Sequence, residues 1–276
     1  MPELPEVETV ARSLQQLVVG RPIESAELKR ARLAPDTTPA AFARHLKGKT
    51  INFVHRRGKH ILLDLTGNKT LIVHLRMSGR FLLLSAEIEN PKFTHAVLHF
   101  TDGMRLVFDD QRHFGLMKIV KTDELHDAKE LTKLAPEPFS DEFSVEYLTL
   151  ITRSSKRSLK EFLIDQTKVT GLGNIYACEA MFLAGVHPGI QANKLSKARV
   201  ARLHESIVAT LAEAVAHAEK IVPDPENLEG GYFSGSNGGW LVYDREGKPC
   251  HTCGAAIARL KQGGRSTYFC RTCQKR

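Results

Sequence analysis

Cys250-His251-Thr252-Cys253 and Cys270-Arg271-Thr272-Cys273 stand near the end of the 276-residue chain, with sixteen residues between the two pairs. Two Cys-x2-Cys knuckles at this spacing bring four thiolates to one tetrahedral ion, so Cys250, Cys253, Cys270 and Cys273 read as ligands of one structural Zn2+. Four thiolates leave no open coordination position, which makes the ion structural rather than catalytic. Between the knuckles, Arg259, Lys261 and Gly263-Gly264-Arg265-Ser266-Thr267-Tyr268-Phe269 predict a β-hairpin with a basic tip. So short a unit has little core, and the metal would supply what is missing. Such a hairpin can enter a groove and contact phosphates. The fifth cysteine, Cys178, stands apart in a helical pattern and reads as packing.

Charge points the same way. The formal net charge is +8. The last 36 residues carry eight basic and two acidic side chains, a local net of +6. An excess gathered at one end favours a polyanionic partner. With 42% hydrophobic and 25% charged residues, the composition is that of a globular protein, and the length suits two domains. No basic segment precedes an apolar run at the start, so no secretory leader is read there. No apolar run reaches about 20 residues, so no membrane partner is expected.

Upstream of the zinc motif the chain reads as helical. Ser144–Ser154 and Ser158–Asp165 are candidate helices, the latter with Leu159, Phe162 and Leu163 inward. Gln166-Thr167-Lys168-Val169-Thr170-Gly171-Leu172-Gly173-Asn174 then forms a glycine-containing turn before a helix at Ile175–Ala184, with Asn174 in the capping place. A helix, turn, helix arrangement presents backbone N–H groups to a phosphate; an ordinary tightly packed hairpin fits the same residues. A long helix at Ser196–Glu219 aligns Val200, Leu203, Ile207, Leu211 and Val215 on a core face. Residues 221–239, with five glycines and two prolines, read as a loop that is either a connector or a lid.

The first half is β-rich. Ile23–Leu28, Thr50–His55, His60–Leu65, Thr70–Leu75, Gly79–Leu84, Thr94–Phe100, Met104–Phe108 and Gly115–Val120 make about eight short strands, enough for a sandwich or barrel. A helix at Pro39–Lys47 is capped by Thr38. The expected organisation is a β domain at 1–121, a linker at 122–143 around Pro136-Glu137-Pro138, a helical domain at 144–239 and the zinc hairpin at 240–276.

At the other end of the chain, Met1-Pro2-Glu3-Leu4-Pro5-Glu6-Val7 leads into a helix read over Glu6–Gly20, with an apolar stripe at Val7, Val10, Leu14, Leu17 and Val18. Removal of Met1 would expose a secondary amine on Pro2. Part of an α-amino group is neutral near pH 7. A neutral amine can attack an activated carbon and form an imine-type adduct. Glu3 and Glu6 place carboxylates beside it, and a packed helix would hold it still. A plain helix start accounts for the same seven residues.

Together these motifs resemble the formamidopyrimidine-DNA glycosylase (Fpg, MutM) family of base-excision repair enzymes. The resemblance runs from Met1-Pro2-Glu3-Leu4-Pro5-Glu6-Val7-Glu8-Thr9-Val10 to Gly264-Arg265-Ser266-Thr267-Tyr268-Phe269-Cys270, nearly the whole chain. It implies an α+β protein: an N-terminal β-sandwich with flanking helices and a C-terminal helix-two-turn-helix domain with the zinc hairpin. It also implies a duplex lying between the domains. The nucleophile falls on Pro2, the catalytic carboxylate on Glu3, a second carboxylate on Glu6, and the essential hairpin lysine on Lys59 in Arg56-Arg57-Gly58-Lys59. The wedge that fills the space of a flipped base falls on Met77, Arg112 and Phe114. The phosphate clamp falls on Lys59, Asn174 and Arg265, with Lys160 a lesser candidate. The implied activity is a bifunctional glycosylase and AP lyase that removes 8-oxoguanine and formamidopyrimidines and nicks the strand by β,δ-elimination. The implied setting is a monomer on double-stranded damaged DNA in a bacterial cytoplasm, with the nucleoid.

One stretch departs from the family pattern. Members carry Gly-Gly-Thr/Ser-Thr-Leu/Ile-Arg-Asp after the long helix, in a loop that closes on flipped 8-oxoguanine. Here Ile221-Val222-Pro223-Asp224-Pro225-Glu226-Asn227 and a glycine-rich run stand in its place. The same chemistry on an oxidised pyrimidine, a ring-opened alkylated base or an abasic site therefore stays open. A damaged-DNA binding protein without catalysis is a further alternative, although binding alone needs no free secondary amine.

Overall fold

The computed structural model describes residues 1–228 and 239–276. The chain divides into two compact units: Met1–Thr132 with the segment that begins at Ala218, and Lys133–His217 with the C-terminal segment.

The first unit opens with helix α1, Leu4–Val18. It starts two residues before the expected Glu6 because Glu3 and Glu6 form a capping box, which satisfies backbone N–H groups that the first turn leaves without partners. The stripe of Val7, Val10, Leu14 and Val18 is buried in the core. After β1 (Ile23–Leu28), α2 (Pro39–Leu46) begins where Thr38 Oγ1 accepts the Ala41 N–H at 3.2 Å. Then come β2 (Ile51–Arg57), β3 (His60–Leu65), β4 (Lys69–His74), β5 (Gly79–Leu84), β6 (Thr94–Phe100), β7 (Arg105–Asp110) and β8 (Leu116–Lys121). They build two four-stranded antiparallel sheets, ordered β1-β6-β7-β5 and β2-β3-β4-β8, which settles the sandwich over the barrel. Their inner faces meet through Ile23, Ile61, Leu63, Leu71, Phe81, Leu98 and Phe108. α1 packs on β2 and β3, and α2 packs on β1.

Two stretches read as loops carry structure. Residues 122–143 include a 3-10 helix at Thr122–Asp127 and buried Ala128, Leu131, Ala135 and Phe143. Of 221–239, the part up to Leu228 is not an open loop. Phe81 and Leu228 exchange both backbone hydrogen bonds, at 3.2 and 2.9 Å, and the Leu83 N–H reaches Pro225 O at 2.6 Å. This segment thus covers the edge of β5, where unpaired N–H and C=O groups would otherwise be exposed. The rest of the loop reading, 229–238, lies outside the described residues.

The second unit holds α3 (Val145–Arg153), α4 (Leu159–Leu163), α5 (Asn174–Leu183) and α6 (Lys197–Ala218). Ser144 caps α3 through the Tyr147 N–H at 3.1 Å. α5 is buried from Ile175 to Phe182, as a helix apolar on all sides must be. It begins one residue earlier than expected: Gly173 takes the capping place and Asn174 is the first helical residue, which frees the Asn174 side chain for another partner. β9 (Ile257–Gln262) and β10 (Arg265–Cys270) form the expected hairpin. Its two-residue turn needs positive φ at both positions, and Gly263 (55°) and Gly264 (75°) supply it.

Candidate active site and nucleic-acid interface

Pro2 is buried just ahead of α1. Glu3 and Glu6 are 3% and 1% exposed, and the Glu3 N–H donates to Glu6 Oε2 at 2.7 Å. Glu6 thus fixes the backbone that carries Glu3, while Glu3 stands next to the prospective amine. Glu8, one turn on, binds two arginines: Arg56 Nε at 2.6 Å and Arg12 Nε at 2.7 Å. The first of these ion pairs ties α1 to the end of β2, whose turn to β3 carries Lys59.

Lys59 is 4% exposed. Beside it, His60 pairs across the sheet with His74, and their rings meet edge to face at 4.6 Å. Burial pushes the His60 pKa down to about 4. It also lowers His74, helped by the positive charges of Arg76 and Lys59 and by the cost of charging it beside His60. Both imidazoles are neutral at pH 7, and His74 Nδ1 accepts the Arg76 N–H at 3.0 Å. Sequence reasoning passed over this pair, although two histidines on neighbouring strands were visible.

The expected wedge residues come from two loops. Met77 lies between β4 and β5, and Arg112 and Phe114 lie between β7 and β8. Met77 is 39% and Phe114 47% exposed, unusual for apolar side chains flanked by core strands. The Arg112 guanidinium sits 5.4 Å from the centre of the Phe114 ring. Asp110 organises both loops. Its carboxylate accepts the Ser78 hydroxyl at 2.5 Å, the Gly115 N–H at 2.7 Å and the Arg112 N–H at 3.2 Å. Asp110 and Ser78 were not among the sequence candidates, because their partners lie 32 residues apart in the chain.

In the second unit, Asn174 Nδ2 donates to Ser266 O at 2.9 Å and so ties the start of α5 to β10, one residue from exposed Arg265. Gln166 braces the turn before α5: its amide donates to Ile164 O and Leu172 O and accepts the Gly171 N–H. Among the described residues, Asn174 Oδ1 and Thr267 Oγ1 are buried without a hydrogen-bond partner, which leaves both able to bond a water or a ligand atom. Lys160, the lesser clamp candidate, is buried in α4, as Lys59 is buried in its turn. Glu179, also outside the sequence candidates, accepts the N–H groups of Leu241, Val242 and Tyr243 at 2.7–2.9 Å and anchors the irregular segment leading to the hairpin.

The four cysteine sulfurs lie within 4.8 Å of one another, with Cys250–Cys273 at 3.9 Å and Cys253–Cys270 at 3.5 Å. Tetrahedral Zn–S bonds of about 2.3 Å require sulfurs about 3.8 Å apart, so the donor set fits one structural Zn2+. Cys178 packs against this unit with Val242, Ile257 and Tyr268.

One chain thus carries a β-sandwich, with Pro2 and two carboxylates buried at the head of its first helix, and a helical unit with a four-thiolate hairpin. Three family models match in order: the formamidopyrimidine-DNA glycosylase N-terminal domain over residues 1–117, its H2TH domain over 134–224, and a zinc finger found in FPG and IleRS over 247–276. The chain belongs to the formamidopyrimidine-DNA glycosylase family. It is 42% identical to the formamidopyrimidine-DNA glycosylase of Bacillus licheniformis over 279 residues, the full length of both. It superposes on Lactococcus lactis Fpg (MutM) bound to N7-benzyl-Fapy-dG DNA with a TM-score of 0.91 and 34% identity, both chains fully covered. The same L. lactis enzyme bound to DNA with an oxidised pyrimidine gives a TM-score of 0.90 at 34% identity, again over both whole chains.

Proposed function

We propose that this protein is a bifunctional DNA glycosylase and AP lyase that removes oxidised purines from duplex DNA. The observation that carries this is the head of α1, where a buried capping box of Glu3 and Glu6 holds residue 2 in a fixed direction. Once Met1 is removed, the Pro2 lone pair attacks C1′ of the damaged nucleotide and the glycosidic C–N bond breaks. Glu3 passes protons to the opening sugar. The resulting iminium acidifies C2′; loss of that proton breaks the 3′ C–O bond, and δ-elimination then breaks the 5′ C–O bond. Water hydrolyses the remaining adduct and frees Pro2.

The target base must leave the stack before C1′ can be reached. Met77 and Phe114 fill the space it leaves, and Arg112 donates to the orphaned partner. Lys59, Asn174 and Arg265 hold the phosphates on either side of the lesion. The structural relatives with Fapy-dG and oxidised-pyrimidine DNA support a site that tolerates more than one lesion. The departure at Ile221–Asn227 keeps an oxidised pyrimidine, a ring-opened alkylated base and an abasic site as alternative substrates of the same chemistry. No helix among the described residues is long and apolar enough to cross a membrane. A monomer working beside the nucleoid in the cytoplasm is part of the same proposal.

Borohydride trapping tests the reading, with Met1 removal checked by mass. Duplexes carrying 8-oxoguanine, a formamidopyrimidine, an oxidised pyrimidine or an abasic site are offered in parallel. The modified purines are expected to give adducts, and Pro2→Gly to lose most of them while still binding DNA. Normal trapping by that variant refutes the nucleophile. Adduct with the abasic site alone refutes the purine substrate.

A further inference from the structure

His95 and His113 meet outside the residues assigned above. His95 lies in β6 where its register with β7 shifts between Thr94 and Ala96, a bulge that re-aims a side chain. Its carbonyl accepts the N–H groups of Lys29 at 2.8 Å and Arg30 at 3.2 Å, so its backbone is held. The side chain is 3% exposed. Its Nε2 lies 2.9 Å from Nδ1 of His113, the ring planes 15° apart. His113 stands between Arg112 and Phe114 with φ 61°, and the ring of Phe93 meets it edge-on at 5.9 Å. A left-handed backbone costs a non-glycine residue about 1 kcal/mol and persists where its surroundings over-determine it.

We propose that the His95–His113 hydrogen bond sets the shape of the wedge loop, and that His113 is a positioning residue for insertion of Arg112 and Phe114 beside the lesion. This rests on the wedge reading given above. Asp110 ties the two ends of the loop, at the N–H groups of Arg112 and Gly115. Its middle is held by the His113 N–H, which donates to Asp110 O at 3.2 Å, and by the histidine bond, which fixes the His113 ring to β6. Without the side-chain bond the left-handed turn is less firmly determined, and the Arg112 and Phe114 side chains lose their common direction.

The bond has a distinctive dependence on protons. With no proton or one proton added, a single N–H is still shared between Nε2 and Nδ1. Two protons put an N–H on both nitrogens, and the bond is lost. Burial disfavours charge on His95, and the charges of His113 and Arg30 add to this, while Asp110 and Asp109 on β7 oppose it. Phe93 on the neighbouring turn brings Lys92 near, 5.6 Å from its ring centre. Loss of the bond therefore falls on the acid side of the ordinary histidine range.

The test variant is His113→Asn, since asparagine accepts the left-handed backbone but is too short to reach His95. The probe is a duplex with a reduced abasic site facing 2-aminopurine, whose fluorescence reports insertion. His113→Asn is expected to lower affinity for this duplex relative to an undamaged one about three- to tenfold, the worth of one hydrogen bond. His95→Ala should give the same loss, and the double variant no more than either. Wild-type insertion should fall in acid, and the variants should lack that limb. Full insertion by His113→Asn, additive losses, or parallel pH profiles would overturn the proposal. Trapping on a single-stranded abasic oligonucleotide needs no wedge and should be unchanged in the variants. If the wild type fails that trapping, the Pro2 reading falls, and the insertion data still decide the histidine pair.

Discussion

Burial keeps His60 neutral beside Lys59, and this has a consequence for stability. The folded chain binds a proton at His60 only near pH 4, whereas an unfolded histidine does so near 6.5. The stability present above the unfolded value is lost as pH falls through that window, because the unfolded state takes up the proton first. The loss at this one residue amounts to about 3 kcal/mol by pH 4. Urea midpoints recorded from pH 7 to 4 should decline, and His60→Gln should decline less steeply. Identical slopes would show that His60 is not the source. At the same scale, Glu6 illustrates how a carboxylate expected beside the chemistry works through its neighbour: it holds the Glu3 N–H and so sets where Glu3 points.

Among the elements, the β4–β5 and β7–β8 connections depend on close approach. A Cβ added at Gly79 would lie 2.5 Å from Leu75 O and 2.7 Å from the Phe108 ring. A carbonyl of the backbone cannot yield as a flexible side chain can, so Gly79→Ala forces the Met77 loop outward. We expect a loss of about 2 kcal/mol, within the usual range for overpacking. A thermal melt unchanged within about one degree would refute that crowding. The same variant should weaken insertion, because Ser78, the residue before Gly79, is bonded to Asp110 and so to both wedge loops. The β5 edge gives a second lesson at this scale. Pro225 and Leu228 complete the sheet from a segment that composition alone marks as loop.

For the whole molecule, charge and metal are the levers. A net charge of +8 with a basic hairpin implies that DNA binding falls steeply with salt. Each lysine or arginine on a phosphate adds about 0.9 to the slope of log affinity against log salt. Arg265→Ala should therefore lower that slope by about one and weaken binding to all sequences alike. An unchanged slope would remove Arg265 from the phosphate contacts. Stripping the zinc with a chelator, or Cys250→Ala, should unfold the hairpin and cost most of the DNA affinity. Full affinity without metal would show that the hairpin takes no part in binding.

The sequence by itself determined what local chemistry and periodicity can specify. The zinc ligands follow from spacing alone, since two knuckles and four thiolates leave no other economical arrangement. The strands of the sandwich and the helices of the second half follow from turn residues and apolar period, with ends shifted by one or two residues. Pro2 drew notice as a candidate amine because proline at position 2 has a chemistry of its own, and its burial at the head of α1 came only with the structure. Tertiary structure decided the rest, because those features depend on residues brought together from distant parts of the chain. Asp110 meets Ser78 across 32 residues, His95 meets His113 across 18, and Glu179 holds backbone groups 62 to 64 residues away. The burial of Lys59 and Lys160, both clamp candidates by resemblance, comes from packing that no local pattern reveals. Spacing along a chain encodes only contacts that the chain makes with its near neighbours; the partners that orient a site come from the fold.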